Sequence, residues 1–194
     1  MVPSLYFPYI SPPLGEGKEV NDMKKMAATV GFLVTLLLNS CTGVPEGLEP
    51  VTGFEPNRYL GKWYEIARLD HSFERNLINV TAHYAKKEGG GIEVINRGFN
   101  GKTGEWKEIE GHGRFIKSES VGSLKVSFFG PFYGGYHIIA LDKENYTYAM
   151  VAGPSRSYLW ILAREKTMNP ETLSDLVSKA KQWGFKTEAL IYEN

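Results

Sequence analysis

The sequence of 194 residues contains one cysteine, Cys41, and only four histidines. A single cysteine excludes an intrachain disulfide and the paired-cysteine zinc motifs. The histidines, His71, His83, His112 and His137, show no metal-ligand spacing such as H-E-x-x-H, and no G-x-S-x-G nucleophile motif is present. We therefore expect a protein without catalytic or metal-binding residues, one that is not an enzyme and needs no cofactor.

An excess charge of either sign is also missing, because Lys and Arg total 22 and Asp and Glu total 22. A balanced charge argues against a nucleic-acid partner, since such binding depends on neutralising phosphates. The sequence also lacks an apolar run long enough to span a membrane. The run that stands out, Ala27–Leu38, has the length of a signal-peptide core.

The residues around this run are typical of a bacterial lipoprotein signal. Lys24 and Lys25 precede it, and Leu38-Asn39-Ser40-Cys41 follows and resembles a lipobox. The resemblance implies that the Cys41 thiol receives a diacylglyceryl group and that its amine is acylated after cleavage. Two or more chains anchor a protein stably in a membrane. Thr42 at the next position implies the outer membrane and its periplasmic face, while a plain secretory signal is the alternative.

Four segments follow from these observations. Lys18-Glu19-Val20 can be encoded by a ribosome-binding sequence ahead of Met23, which makes the first 22 residues a mis-assigned extension. Three prolines over residues 42–57 indicate an extended tether. The predicted segments are the extension 1–22, a signal peptide 23–40, a lipidated N-terminus and tether 41–57, and a folded domain 58–194.

Short alternating segments separated by turn residues predict an all-β domain. In Leu124–Phe128, for example, apolar and polar residues alternate, as expected when one face of a strand is buried. Eight such segments at near-regular spacing indicate a sandwich or a barrel. The predicted strands are Tyr64–Leu69, Val80–Lys86, Gly91–Phe99, Trp106–Ile116, Leu124–Phe129, Tyr136–Asp142, Tyr146–Ala152 and Leu159–Arg164.

One helix is predicted near the C-terminus. Asn169 can cap its first turn, Pro170 suits the first helical position, and Gly184 can end it. Leu173, Leu176, Val177 and Ala180 recur at helical spacing and form one apolar stripe. A short ninth strand over Phe185–Tyr192 completes the predicted layout.

Three motifs in this order identify a family. They are Gly61-Lys62-Trp63-Tyr64-Glu65 at the first strand, Leu141-Asp142 with Tyr146 between the sixth and seventh, and Trp160–Arg164 in the eighth. Together they resemble the lipocalins, and the run Lys125–Tyr136 is similar to their bacterial branch. The resemblance extends over about residues 53–192. It implies an eight-stranded up-and-down antiparallel barrel with a C-terminal helix, and a lipid-binding function.

The resemblance also implies structural roles for the motif residues. Trp63 would close one end of the barrel, with Arg164 over its indole face in a cation–π contact. Gly61 would leave room for the chain to pass beneath the barrel. Asp142 would bond the backbone of its own turn.

Strand alternation counted from Trp63 and Arg164 predicts which residues face the barrel interior. It places Glu65, Ala67 and Ala140 inside, among apolar and aromatic neighbours. An eight-stranded barrel encloses room for one small ligand. We expect a fatty acid or a lysophospholipid to contact Tyr84, Asn96, Val126, Phe128, Tyr136, Ile138, Tyr158 and Trp160.

Other interpretations stay open at this point. A lipid-modifying enzyme, a pigment or haem carrier, and a filled structural barrel are each compatible with the same strands. The aromatic run Phe128–Tyr133 is either a surface patch for membrane contact or homodimer formation, or a buried strand end.

Overall fold

The computed structural model describes residues 42–193. The predicted extension, signal peptide and lipidated Cys41 lie outside this range. A one-turn helix, α1 (Pro56–Tyr59), precedes the strands. The strands are β1 (Gly61–Leu69), β2 (Leu77–Lys86), β3 (Ile92–Asn100), β4 (Glu105–Phe115), β5 (Ser123–Phe129), β6 (Phe132–Leu141), β7 (Tyr148–Ala152), β8 (Leu159–Ala163) and β9 (Leu190–Tyr192).

The strands form one closed antiparallel barrel. Each of β2 to β8 pairs with its neighbour in sequence, β8 pairs with β1, and β1 pairs with β2. The closing contact joins Gly61–Tyr64 to Thr81–Tyr84, after which β1 pairs with β9 instead. The predicted eight-stranded up-and-down barrel with a short ninth strand is confirmed. We call the end at Trp63 the base, and the end formed by the β1–β2 and β7–β8 loops the mouth.

Some strand boundaries differ from the prediction. The pair Gly134-Gly135, which lies between two of the predicted strands, belongs to β6 and pairs with Val126 and Lys125. Gly135 has no room for a side chain, because a Cβ there would lie 2.6 Å from His137 Nε2. Only residues 190–192 of the predicted ninth strand are extended, since a 3₁₀ turn, Thr187–Ala189, precedes them.

Residues 43–55 are packed on the barrel rather than forming the predicted extended tether. The Val51 N–H donates to the Ile138 carbonyl at 2.8 Å, and Val51 accepts from Gly122 at 2.9 Å. Leu48 and Phe54 are buried. Buried apolar side chains and backbone hydrogen bonds therefore overrule the composition of this segment, which alone favours an extended chain.

The C-terminal helix, α2 (Pro170–Gln182), has the predicted position and cap. Asn169 Oδ1 accepts from the N–H groups of Glu171 and Thr172, at 2.8 and 3.2 Å. Leu176 and Ala180 are buried against the outer wall of the barrel. The sheet therefore has two apolar faces, one under α2 and one inside the barrel.

Two β-bulges change which residues face inward. The pairing register shifts between Glu65 and Ala67 in β1, and between Ile138 and Ala140 in β6. A bulge inserts one residue and reverses the alternation beyond it. Ala67 and Ala140 consequently pack in the outer cluster with α2, so the prediction that they face the interior is wrong.

Candidate functional site: the barrel interior

The base of the barrel is closed by Trp63, which is fully buried. Arg164 Cζ lies 4.0 Å from the centroid of its ring, as the motif predicts. The Arg164 guanidinium also donates to the carbonyls of Arg58 at 2.6 Å and Lys62 at 3.0 Å. These contacts join α1, β1 and the end of β8 across one end of the barrel.

The other two motif residues, Gly61 and Asp142, determine the local path of the backbone. Gly61 has a φ of 93°, and a Cβ there would lie 3.4 Å from Arg164 Nη1. Asp142 accepts from Thr147 Oγ1 at 2.6 Å and from the N–H groups of Glu144 and Asn145. Partial burial raises the pKa of Asp142, but these hydrogen bonds outweigh it and lower the pKa below its usual value.

Three tyrosine hydroxyls form a cluster directly above Trp63. The Tyr136 hydroxyl lies 2.7 Å from that of Tyr59 and 2.8 Å from that of Tyr84. Burial raises the pKa of all three phenols, so the cluster is uncharged. Tyr84 and Tyr136, both predicted to contact the ligand, thus lie at the base and bond each other.

The wall above the tyrosines is apolar. Val126, Phe128 and Ile138, three of the residues predicted to contact the ligand, lie in the apolar cluster inside the barrel. Phe128 lies so close to Gly111 that a Cβ on the glycine would be 2.6 Å from its ring. Asn96 Oδ1 is buried without a hydrogen-bond partner, which leaves an acceptor for a ligand donor.

A charged cluster near the mouth was missed by the sequence analysis. The bulge in β1 turns Arg68 inward, where its Nη1 lies 2.5 Å from Glu65 Oε1 and 3.2 Å from Glu193 Oε1. Glu74 Oε2 is 4.0 Å from Arg68 Nε. Arg68 is therefore the partner of the inward-facing Glu65. Residues three apart on a regular strand point to opposite faces, so nothing in the sequence indicated this pair, which depends on the bulge.

The cluster holds three carboxyl groups and one guanidinium, all nearly inaccessible to water. Burial and the charge of Glu74 raise the pKa of Glu65 to about 8, although Arg68 opposes this effect. Burial likewise raises the pKa of Glu74. Burial and then Arg68 lower the pKa of His71 to about 4, so this imidazole is neutral at pH 7.

Aromatic rings cover the cluster at the mouth. The centroid of His71 lies 4.0 Å from that of Phe73, 5.0 Å from Trp160 and 5.8 Å from Tyr158. Trp160 Nε1 donates to Glu74 Oε2 at 3.1 Å. The structure thus joins Tyr158 and Trp160, which were predicted, to His71, Phe73 and Glu74, which were not. Phe73 is on the surface, with 59% of its area exposed.

The aromatic run in the β5–β6 hairpin is on the surface. Phe129 and Phe132 are 70% and 76% exposed, whereas Phe128 packs inside. Of the two interpretations of this run, the structure therefore supports an exposed apolar patch.

A groove of about 380 Å³ opens in the wall where β1 and β2 separate beyond Tyr64 and Thr81. It is lined by exposed side chains that include Lys62, Arg97 and Trp106, and also by Glu65 and Glu193 of the charged cluster. The groove therefore reaches from the outer surface to that cluster.

The described residues also bear on metals and membrane spans. Within residues 42–193, no three His, Cys, Asp or Glu side chains are grouped so that they can hold a metal ion. No helix in that range is long and apolar enough to cross a membrane.

Comparison with known proteins agrees with this architecture. The sequence profile of the Lipocalin-like domain matches residues 54–194. The chain is 53% identical over 167 residues to outer membrane lipoprotein Blc of Vibrio cholerae, covering 86% of this chain and 98% of the relative. It is 48% identical to outer membrane lipoprotein Blc of Escherichia coli, covering 86% of this chain and 92% of that one.

A solved structure gives the same fold. Insecticyanin of the tobacco hornworm Manduca sexta superposes with a TM-score of 0.62 at 20% identity, over 79% of this chain and 87% of that one. At this identity the similarity concerns the fold alone. The motif at the barrel base, the closed eight-stranded topology and the profile match lead to one conclusion: the chain belongs to the lipocalin family.

Proposed function

We propose that this lipocalin binds, stores or carries one single-chain lipid, a fatty acid or a lysophospholipid, in the cell envelope. The observation that carries the proposal is an apolar wall above a sealed base. Trp63 and the tyrosine cluster close one end, and Val126, Phe128 and Ile138 line the wall. Transfer of each CH₂ of an acyl chain from water to such a wall contributes about 0.8 kcal/mol.

The membrane anchor is the second part of the proposal. The lipobox ending at Cys41 supports acylation of the chain, and the two bacterial relatives are named outer membrane lipoproteins. We infer an anchor in the outer membrane that faces the periplasm. An anchored lipocalin would take up lipid released from the bilayer during membrane maintenance or stress.

Titration of the purified protein with a lipid of one saturated chain tests the binding. We expect saturable quenching of tryptophan fluorescence that is largely lost in Trp160→Phe. Val126→Phe should weaken lipid binding because the larger side chain takes up space inside the barrel. Lys125→Gln, on the opposite face of the same strand, is the control. Native mass spectrometry should show one lipid per chain, unchanged in mass. Failure to bind any lipid would contradict the proposal, and conversion of the lipid would indicate an enzyme.

A further inference from the structure

The tip of the β5–β6 hairpin, residues 129–132, exposes two aromatic side chains. Phe129 and Phe132 pair across the hairpin, and most of each side chain is accessible to water. From residue 126 to residue 136 the sequence contains no Asp, Glu, Lys or Arg. Exposed apolar side chains that lie together mark sites of contact with a protein or a membrane. The hairpin tip is therefore a contact surface that the barrel interior does not explain.

The hairpin tip lies at the mouth of the barrel. Successive strands of this sheet are antiparallel, so every second loop lies at the same end. The β5–β6 hairpin is consequently at the end that also carries the β1–β2 and β7–β8 loops. The exposed Phe73 belongs to the β1–β2 loop and lies at this end as well. A partner that covers the hairpin tip therefore approaches the barrel from its mouth.

The N-terminal segment reaches its first described residue beside the strand that continues this hairpin. His137 Nε2 donates to the Gly43 carbonyl at 2.9 Å. The backbone of Thr42 lies against Gly135, where a Cβ would be 3.3 Å from the Thr42 carbonyl oxygen. Gly135 is three residues from Phe132, which corresponds to about 10 Å along a strand. Thr42 is thus fixed on the part of β6 that is near the hairpin tip.

This position brings the proposed acylation site close to the hairpin tip. Cys41 precedes Thr42, and consecutive Cα atoms are about 3.8 Å apart. Residues 43–55 are packed on the barrel, with Leu48 buried and Val51 hydrogen-bonded to Ile138 and Gly122. The packed segment leaves little length of chain on which the barrel can turn away from a membrane that holds Cys41.

We propose that the hairpin tip enters the phospholipid surface beside the acylated Cys41, so that the mouth of the barrel faces the bilayer. This inference rests on the proposed membrane anchor and adds a second contact to it. Phenylalanine side chains are suited to the boundary between head groups and acyl chains. The acyl groups hold the protein on the membrane, and the hairpin tip sets its orientation. A single-chain lipid then passes from the bilayer into the barrel without crossing open water.

A fluorophore at the hairpin tip tests this contact in the acylated protein, reconstituted into phosphatidylcholine vesicles. A thioether at Cys41 leaves no free thiol, so Gly130→Cys supplies a single labelling site, at a position with open space around it. The reference is the same label in Glu119→Cys, at an exposed position near the base. We expect iodide in the water to quench the label at the tip at least about threefold less effectively than the reference label, because the tip is buried among the head groups.

Substitution of the two phenylalanines should remove this protection. With Phe129→Ser and Phe132→Ser together, iodide should reach the label while the acyl groups keep the protein on the vesicles. Ile116→Ser, at an exposed apolar position near the base, is the matched control and should leave the label shielded. In the unacylated Cys41→Ser chain, the double substitution should lower partition into the same vesicles at least about tenfold, a difference of about 1.4 kcal/mol.

The outcomes separate this inference from the anchor on which it rests. Equal quenching of the labels in Gly130→Cys and Glu119→Cys, in protein whose acylation is verified by mass analysis, would overturn the inference and leave the anchor intact. Shielding of the tip in the Cys41→Ser chain without vesicles, with the light-scattering mass of two chains, would overturn it in favour of a homodimer. Absence of an acyl group at Cys41 contradicts the anchor. Partition of the unacylated chain then decides the inference, which is overturned if the double substitution has no effect.

Discussion

Arg164 lies face-on over the indole of Trp63, 4.0 Å from the ring centroid, and donates to carbonyls in α1 and β1. The guanidinium therefore holds the base closed by two kinds of contact: a cation–π contact with the indole ring and hydrogen bonds to backbone carbonyls. Such a contact contributes about 1–2 kcal/mol when it is partly desolvated.

Removal of this guanidinium should destabilise the barrel without preventing ligand binding. We expect Arg164→Ala to lower the free energy of unfolding by about 2–4 kcal/mol, since it removes the cation–π contact and the carbonyl hydrogen bonds. Arg164→Lys keeps the charge but not the planar fork, so its loss should be smaller. Urea unfolding measures both, with Arg114→Ala at an exposed position as the control. Equal stability of Arg164→Ala and the parent would contradict the role of this contact.

The tyrosine cluster should respond to loss of its central hydroxyl. In Tyr136→Phe the hydroxyls of Tyr59 and Tyr84 both lose their partner in a buried site. An unsatisfied buried polar group costs about 1–3 kcal/mol. We expect a loss of this size in urea unfolding, and no loss for Tyr192→Phe, which removes a hydroxyl from an exposed ring. A neutral effect of Tyr136→Phe would mean that water replaces the lost group.

The pKa of Glu65 makes stability depend on pH. This carboxyl has a pKa of about 8 in the folded protein and near its usual 4.5 when unfolded, so the folded state holds a proton that the unfolded state releases. The stabilisation is complete below pH 4.5 and declines as the pH rises towards 8. We expect the melting temperature to fall over this range, and to fall less in Glu65→Gln. Parallel profiles for the two proteins would contradict this assignment.

His71 should make stability depend on pH in the opposite direction to Glu65. Its pKa is about 4 in the folded protein and 6.5 in the unfolded chain, so the unfolded state binds the proton first as the pH falls. Stability from this group is complete above pH 6.5 and declines towards pH 4. Melting curves of His71→Gln should lose this acid-side decline. His83→Gln, at an exposed site on β2, is the matched control.

The anchor can be tested in a two-membrane host. We expect Cys41→Ser to abolish acylation and to release the protein from the membrane fraction. Thr42→Asp should leave acylation intact and move the protein to the inner membrane. Fractionation with mass analysis of the N-terminus measures both, and membrane association of Cys41→Ser would contradict a thioether anchor.

The order of the strands and the C-terminal helix could be predicted from the sequence because it depends on local patterns. Period-two alternation predicted the strands, and the Asn169 cap, Pro170 and the apolar stripe predicted α2. The lipocalin motifs placed Trp63 beneath Arg164 because both residues lie next to the base of the barrel. Val126 and Ile138 lie in the apolar cluster inside the barrel, in agreement with the alternation of their strands.

Tertiary structure alone decided the chemistry of the mouth. The bulge between Glu65 and Ala67 reverses the alternation by one residue, so Arg68 enters the interior and Ala67 leaves it. Glu74 and Glu193 reach the same place from a loop and from the C-terminus, a proximity that no local pattern encodes. Strand periodicity is a property of neighbouring residues, whereas the balance of buried charge depends on which distant segments meet.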